Sequence, residues 1–396
     1  MTATADDGGS AARAPTGRKR IKVLQLSYGS TLYGAERWVL ALIRHLDPER
    51  VETVVGCILD ADGPDLPLLD EAKRLGFETV VIEATRSLIG RSVRGIRSLV
   101  RRLGIDVIHT HGVRQDVLGR AAVVGLPCRT VSTPHGWEGR PSLKERVYAV
   151  IDKLAFASFD AVAPLSPDLA ASIRSYPIPR SRIHLIPNGV DLSEIESAAP
   201  AALPWDGGPP VFSIGYIGRL TSGKGVHVLI DALRGLNGAD WRCLIVGEGP
   251  ERATLEARAA GHGLGDRVIF LGYRPDRLSY LKRFDFFVLP SIREGIPRCL
   301  MEALAAGIPC AGSRIPGIDM VLQDGVTGRM FPAGDAEALG TILRRALVDR
   351  ARELELARAG QALIHERFSA RAMARGYEDL YERILAGRGR PAGAGG

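Results

Sequence analysis

Short apolar runs alternate with stretches of helical spacing along most of this chain. Ile21–Ser27 (I-K-V-L-Q-L-S) is the first run, and Ala35–Leu46 follows it with apolar residues at helical intervals. Val51–Leu59, Thr79–Ile82, Asp106–His109 and Arg129–Thr133 continue the series as expected strands. Strand-like runs separated by helical patterns predict βαβ units and a parallel sheet covered on both faces. The rhythm stops at Ala198–Pro210 (A-A-P-A-A-L-P-W-D-G-G-P-P), whose four prolines and two glycines read as a linker. It then restarts, with strands expected at Val211–Tyr216, Arg242–Val246, Val268–Leu271, Phe286–Leu289 and Pro309–Gly312, and helices at Val226–Leu233 and Cys299–Ala306. Two α/β domains, 21–197 and 211–369, are therefore expected around the linker 198–210, with a last helical segment at 370–386. The small, polar, Gly/Pro-rich ends, 1–20 and 387–396, are expected to be disordered tails. Open parallel sheets bind ligands beyond the carboxyl ends of their strands, so two such edges facing one cleft would hold two substrates.

Composition narrows this picture only a little. The 396 residues are 45% hydrophobic and 24% charged, an ordinary globular balance. A net charge of +7 fits an anionic ligand or an anionic membrane surface. It would also fit nucleic acid, but no recognition helix, zinc finger or RNA-binding aromatic motif accompanies it, so no nucleic acid is expected. Cys57, Cys128, Cys243, Cys299 and Cys310 are scattered and odd in number, which argues against a disulfide framework or a zinc site and suits a reducing cytoplasm. No stretch reaches the ~20 apolar residues of a membrane span, and the first twenty residues have no secretory pattern. The expected location is the cytoplasm, with peripheral contact on the inner face of the cell membrane.

Two constellations carry candidate chemistry. Gly215–Gly225 (G-Y-I-G-R-L-T-S-G-K-G) leaves an expected strand and enters a helix. Glycines let the backbone approach a phosphate, the helix start favours negative charge, and Arg219 and Lys224 add two cations. Gly218–Lys224 also fits the G-x-x-x-x-G-K spacing of a P-loop nucleoside triphosphatase, although Gly225 stands where Ser or Thr would ligate magnesium. The second constellation is Pro290–Gly307 (P-S-I-R-E-G-I-P-R-C-L-M-E-A-L-A-A-G). Glu294 lies in a loop after a strand, Gly295 permits an unusual turn, Pro297 suits a helix start, and Glu302 follows eight positions after Glu294. Two carboxylates so spaced on a loop–helix unit can face one ligand, and free N–H groups at the helix start can hold its oxygens.

These runs, with V-G-E-G-P (Val246–Pro250) between them, resemble the family-4 retaining glycosyltransferases of the GT-B fold. Y-G-A-E-R (Tyr33–Arg37), T-P-H-G (Thr133–Gly136), N-G-V-D (Asn188–Asp191) and D-G-V-T-G (Asp324–Gly328) fit the same family in the same order, so the likeness spans about residues 21–385. It implies an α/β GT-B fold, two Rossmann-like domains facing across a cleft, with residues 370–386 crossing back to the first. It implies transfer of a hexose from a UDP- or GDP-sugar to a hydroxyl of a lipid-linked or cell-envelope saccharide; a small soluble acceptor is the alternative. No cofactor is implied beyond the nucleotide-sugar co-substrate, and no metal. At matching positions, Arg219 and Lys224 would grip the donor diphosphate, with Gly218 in the same loop. Glu302 would bind the ribose, and Glu294 with the backbone of Gly295, Ile296 and Pro297 the donor sugar. Gly34 would bring a backbone N–H to the donor phosphate or the acceptor, and His135 would lie near the reacting sugar. One stretch departs from the family: where Gly-Gly-x-x-Glu is usual, Ile315–Val321 reads I-P-G-I-D-M-V, keeping Gly317 but placing Met320 where the acid stands.

Weaker signals remain. Asp60-Ala61-Asp62 is a D-x-D, which ligates metal in another class of glycosyltransferases, but paired acids in a Gly/Pro loop are commonplace. His109 and His111 (H-T-H) sit at a strand end, where one is expected to face the cleft. Within Arg86–Leu103, Ile89, Val93, Ile96, Val100 and Leu103 form an apolar stripe. Arg91, Arg94, Arg97, Arg101 and Arg102 fill the other side, which is either a solvated helix face or a surface for anionic lipid.

Overall fold

The computed structural model describes residues 19–28, 34–60, 66–84, 89–135, 155–236 and 240–387. Expectations that fall on 1–18 and 388–396, on Tyr33, Ala61, Asp62, Arg86 and Gly136, and on the side chains of Asp60 and Ile89, lie outside these residues.

The first half runs β1 (Ile21–Ser27), α1 (Gly34–His45), β2 (Val51–Asp60), α2 (Pro67–Arg74), β3 (Glu78–Ala84), α3 (Ile89–Leu103), β4 (Val107–Thr110), α4 (Val113–Ala122), β5 (Arg129–Ser132), β6 (Ala161–Val162), α5 (Pro167–Arg174) and α6 (Leu192–Ser197). Its strands form one parallel sheet in the order β3-β2-β1-β4-β5-β6. The second half runs β7 (Phe212–Ile217), α7 (Val226–Leu233), β8 (Trp241–Val246), α8 (Arg252–Gly261), β9 (Val268–Gly272), α9 (Arg277–Leu281), β10 (Phe286–Leu289), α10 (Arg298–Ala305), β11 (Cys310–Ser313), β12 (Arg329–Phe331), α11 (Ala336–Val348), α12 (Arg350–Arg367) and α13 (Ala370–Ala386). Its sheet, β12-β11-β10-β7-β8-β9, repeats the first topology, and both are the doubly wound order whose ligand crevice lies where the strand order reverses. β6 and β12, two and three residues long, are too short for a periodic signal and went unread in the sequence.

Both faces of each sheet are buried, which explains the near-continuous apolar strands. In the first half, Trp38, Leu42 and Leu69 build the core on one face, and Ile96, Val100 and Leu118 build it on the other. Helix α13 belongs to the first of these cores through Met373, Ala374, Tyr377, Leu380 and Tyr381, although its sequence follows the second domain. Glu378 anchors it, accepting from the backbone N–H of Asp47 at 2.7 Å and from Arg50 at 2.5 Å. The chain crosses at N-G-V-D. The Val190 N–H donates to the Phe368 carbonyl and the Ala370 N–H to the Val190 carbonyl, each at 2.8 Å. A Cβ on Gly189 would lie 2.7 Å from the Ser369 carbonyl oxygen, so only glycine allows this approach. Asp191, fully buried, accepts from the Ser193 N–H and hydroxyl and meets His45 at 3.1 Å. Burial alone would raise its pKa, but these hydrogen bonds outweigh it and hold the carboxyl well below its usual range.

Candidate active site between the two sheets

The anion loop after β7 is shaped by glycines that touch. A Cβ on Gly247 (φ +144°) would lie 1.8 Å from the Gly218 carbonyl oxygen, and one on Gly249 would lie 2.2 Å from that of Leu220. V-G-E-G-P therefore forms the bed on which G-R-L rests, with the Leu220 N–H donating to the Glu248 carbonyl at 2.8 Å. A single 3-10 turn, Ser222–Lys224, follows, and Gly225 (φ +62°) opens α7. A Cβ on Gly225 would sit 2.1 Å from the Pro290 carbonyl oxygen. Neither the backbone nor the space there admits the Ser or Thr of a P-loop.

That contact also joins the two predicted constellations. The Ile292 N–H donates to the Gly223 carbonyl at 2.9 Å, which sets the loop after β10 against the loop after β7. Lys224 Nζ then donates to both oxygens of Glu294, at 2.7 and 2.9 Å, and the buried Ser291 hydroxyl donates to Oε1 of the same carboxylate at 2.7 Å. Arg219 is exposed at the neighbouring loop position. Gly295 is exposed and open, while Pro297 precedes the first turn of α10, which has no side-chain cap. The departure at Ile315–Val321 finds its reason here: a Cβ on Gly317 (φ +89°) would lie 1.6 Å from the Gly295 carbonyl oxygen. Gly317 is the glycine this packing requires. Pro316 and Asp319 are exposed, whereas Met320 packs against the core in the acid's place.

Glu302 is buried on α10, 1% exposed. Its Oε1 accepts from Arg277 at 2.6 Å and from Arg298 at 2.8 Å, and among the described residues its buried Oε2 has no hydrogen-bond partner. Burial pushes its pKa up, the two guanidiniums pull it down, and the balance leaves it below the usual carboxylate range. Arg298, one turn before Glu302, also donates to Glu194 of α6 at 3.2 Å, and Glu194 accepts from Arg44 of α1 at 2.6 Å. One chain of ion pairs thus ties α1 of the first half to α10 of the second. Arg37, seven residues before Arg44, has its pKa lowered by burial and by Arg277 and Arg298, which sets the start of α1 opposite α9 and α10. Glu302 and Glu294 do not form one paired acidic face: each is neutralised by its own cations.

The first half brings Gly34 and His135 to this side. Gly34 is exposed at the start of α1, and among the described residues no atom beyond its chain neighbours and its own helix backbone lies within 4 Å of where a Cβ would stand. His135, half-buried after β5, packs edge-on against Trp38 with ring centroids 5.2 Å apart. Its Nε2 lies 3.4 Å from Nδ1 of His111. Burial depresses the His135 pKa to about 4, so the ring is neutral at ordinary pH. Neither His109 nor His111 presents an open face to the cleft, contrary to expectation. His109 is fully buried and spends both ring nitrogens on Tyr381 (2.7 Å) and Thr133 (2.8 Å), and His111 gives Nε2 to Gln25 (2.8 Å).

Sequence reasoning missed Arg37, Arg277, Arg298, Glu194 and Gln25. Arg298 had a signal, since it precedes Glu302 by four residues on one helix. The others meet only through the tertiary fold. On α3, Ile96, Leu99 and Val100 are buried, and Arg91, Arg94, Arg101 and Arg102 are exposed. Arg97 is instead committed to the carbonyls of Ala122 (3.0 Å) and Val124 (2.7 Å). Val81 of β3, which lines one hollow with Arg91 and Arg102, and Val124, whose carbonyl accepts from Arg97, are exposed apolar residues. Among the described residues, no helix is long and apolar enough to cross a membrane.

Residues 33–194 match the family described as Glycosyltransferase Family 4, and residues 200–363 match Glycosyl transferases group 1. The UDP-Gal:alpha-D-GlcNAc-diphosphoundecaprenol alpha-1,3-galactosyltransferase of Escherichia coli is 28% identical over 351 residues, covering 84% of this chain and 89% of that protein. The lipopolysaccharide core biosynthesis glycosyltransferase LpsE of Rhizobium meliloti is 28% identical over 234 residues, 59% of this chain and 66% of that protein. Among solved structures, Anabaena HepE in complex with UDP superposes with a TM-score of 0.78 at 20% identity, covering 92% of this chain and all of HepE. The repeated doubly wound sheets and the two consecutive family matches agree: the chain belongs to the family-4 glycosyltransferases and has their GT-B fold.

Proposed function

We propose that this enzyme is a retaining hexosyltransferase that takes its sugar from a UDP- or GDP-sugar and delivers it to a hydroxyl of a lipid-linked or cell-envelope saccharide. The observation that carries the reading is the Lys224–Glu294 pair, seated on a glycine-shaped loop at the carboxyl edge of the second sheet. Glu294 holds the Lys224 ammonium in place. A diphosphate entering the loop competes for Lys224 and Arg219, which frees Glu294 to accept hydrogen bonds from sugar hydroxyls. The unpartnered Oε2 of Glu302 is a buried acceptor for a ribose hydroxyl, and the desolvation cost of leaving it empty favours occupation. As the sugar–phosphate bond breaks, charge grows on the diphosphate, and preorganised cations stabilise that charge without rearranging. These fixed cations support a reaction that needs no metal. The acceptor class is supported by the names of the Escherichia coli and Rhizobium meliloti relatives, and the donor class by the UDP bound to HepE.

The membrane belongs to the same proposal. Arg91, Arg94, Arg101 and Arg102, with Val81 and Val124 beside them, give an anionic bilayer a basic rim and an apolar contact. Each arginine near the surface contributes ~1 kcal/mol. Reversing these four charges is expected to abolish co-sedimentation with vesicles rich in anionic lipid, and unchanged co-sedimentation would reject this surface.

The deciding experiment is calorimetric titration with UDP, GDP, ADP and ATP, each with and without magnesium. Magnesium-independent binding of one nucleoside diphosphate supports the proposal and names the donor to screen. Magnesium-dependent preference for a triphosphate would overturn it.

A further inference from the structure

A chain of hydrogen bonds runs through the buried polar groups behind His135, and its direction has a consequence at the ring. Gln25, on β1 and fully buried, places Oε1 2.8 Å from His111 Nε2 and Nε2 3.2 Å from the Tyr381 hydroxyl. A carbonyl oxygen only accepts, so His111 carries its proton on Nε2. The neutral ring then has a lone pair on Nδ1. That nitrogen lies 3.4 Å from Nε2 of His135, whose proton therefore sits on Nε2. The other branch takes its direction from the same Gln25 amide. The Gln25 amide donates to Tyr381, and the Tyr381 hydroxyl then donates to Nδ1 of His109. Nε2–H of His109 donates to Thr133, and the Thr133 hydroxyl donates to Tyr377. From His111 to Thr133 each group donates once and accepts once, with His135 as the outer donor and Tyr377 as the last acceptor. Turning the Gln25 amide over would reverse every bond and put the His135 proton on Nδ1.

We propose that Gln25 and His111 are positioning residues that hold His135 in the tautomer protonated on Nε2, leaving Nδ1 as the acceptor the ring offers to a sugar hydroxyl. Trp38 fixes the ring planes, with centroids 5.2 Å from those of both His111 and His135. Tyr381 and Tyr377 come from α13, so the helix that returns from the second domain closes the network that orients a ring in the first. Among the described residues, Nδ1 of His135 has no partner. The proposal rests on the reading that His135 contacts the reacting sugar, but the tautomer can be measured without it.

The test uses the full chain with histidines labelled in nitrogen-15. Ring nitrogens with and without a proton resonate far apart, so the tautomer of each histidine is read directly. The wild type is expected to show His135 protonated on Nε2 alone. Gln25→Leu removes the acceptor that fixes His111 and is expected to leave His135 as a mixture of tautomers. Its kcat should fall roughly 2- to 10-fold, the worth of one hydrogen bond. Its Kd for UDP should not change, because the nucleotide is held by the second domain. Gln25→Glu keeps an acceptor toward His111 and is expected to restore both the tautomer and kcat, which a merely structural role would not predict. His111→Phe keeps ring packing against Trp38 and removes the acceptor for His135, so it serves if Gln25→Leu does not fold. A wild-type His135 protonated on Nδ1 would overturn the proposal. So would a tautomer untouched by both variants, or a tautomer that scrambles with kcat unchanged. Absence of any sugar transfer would count against the function proposed above and leave the tautomer result standing.

Discussion

Lys224→Met is the most informative perturbation of the proposed chemistry. It keeps the length of the stem and removes the charge. Lys224 Nζ sits 2.7 Å from Glu294 Oε1, and the side chains of the pair are 25% and 9% exposed. The site is therefore only partly screened by water, and a fixed cation there acts on the leaving diphosphate at close range. Removing one preorganised stabilising group from such a site costs about 2.7–4 kcal/mol in the transition state, or 10²- to 10³-fold in kcat. The same change strips Glu294 of its counter-ion and is expected to lower Tm by several degrees, at ~2–4 °C per kcal/mol for a domain of this size. The double variant Lys224→Met with Glu294→Gln separates the two effects. With no unpaired carboxylate left, stability should recover substantially while turnover stays low. The assay is release of nucleoside diphosphate from the donor found by calorimetry, with Tm measured on the same samples. A folded Lys224→Met enzyme whose kcat stays within about 3-fold of wild type would refute the leaving-group role, because 3-fold is under 1 kcal/mol.

Glu302→Gln should weaken UDP binding by roughly 10- to 100-fold, the worth of a hydrogen bond to a charged group, and calorimetry checks it. It should also lower Tm, since Arg277 and Arg298 would share a neutral acceptor. Gly225→Ser should destabilise the second domain, because Gly225 has φ +62° and a Cβ there would meet the Pro290 carbonyl at 2.1 Å. It should gain no magnesium-dependent triphosphatase activity, and gain of that activity would contradict the packing described. Acid should destabilise the first domain earlier than carboxylates alone would. Burial depresses His109 and His111, and depresses His135 to about 4, whereas an unfolded histidine titrates near ~6.5. Between about pH 6.5 and 4 the unfolded chain therefore binds more protons, and stability falls as pH drops through that window. Chemical denaturation across this range should show the slope, and His135→Asn should flatten it.

The sequence by itself determined the architecture and the shape of the anion loop. Its parallel strands are buried on both faces, so each announces itself as an apolar run, and the helix Val226–Leu233 matches the expectation residue for residue. Glycine carries its meaning locally as well. Gly218, Gly225 and Gly247 could be read as a close-approach loop because only glycine fits such turns, and Gly317 could be recognised as the glycine that remains. Lys224 and Glu294 could each be named from motifs, but seventy residues separate them, and their pairing comes from the contact of the Gly225 and Pro290 loops. The partners of Glu302 were legible only in part. Arg298 lies on the same helix, whereas Arg277 arrives from α9, and Glu194, which accepts from Arg298, comes from the other side of the linker. The imidazole network was illegible, since Gln25, His109, His111, Thr133, Tyr377 and Tyr381 come from three strand ends and a helix that crosses between domains. Periodicity and glycine usage are local constraints that a chain must satisfy wherever it folds. Ion pairs and proton networks depend on which surfaces meet, and only the tertiary structure decides that.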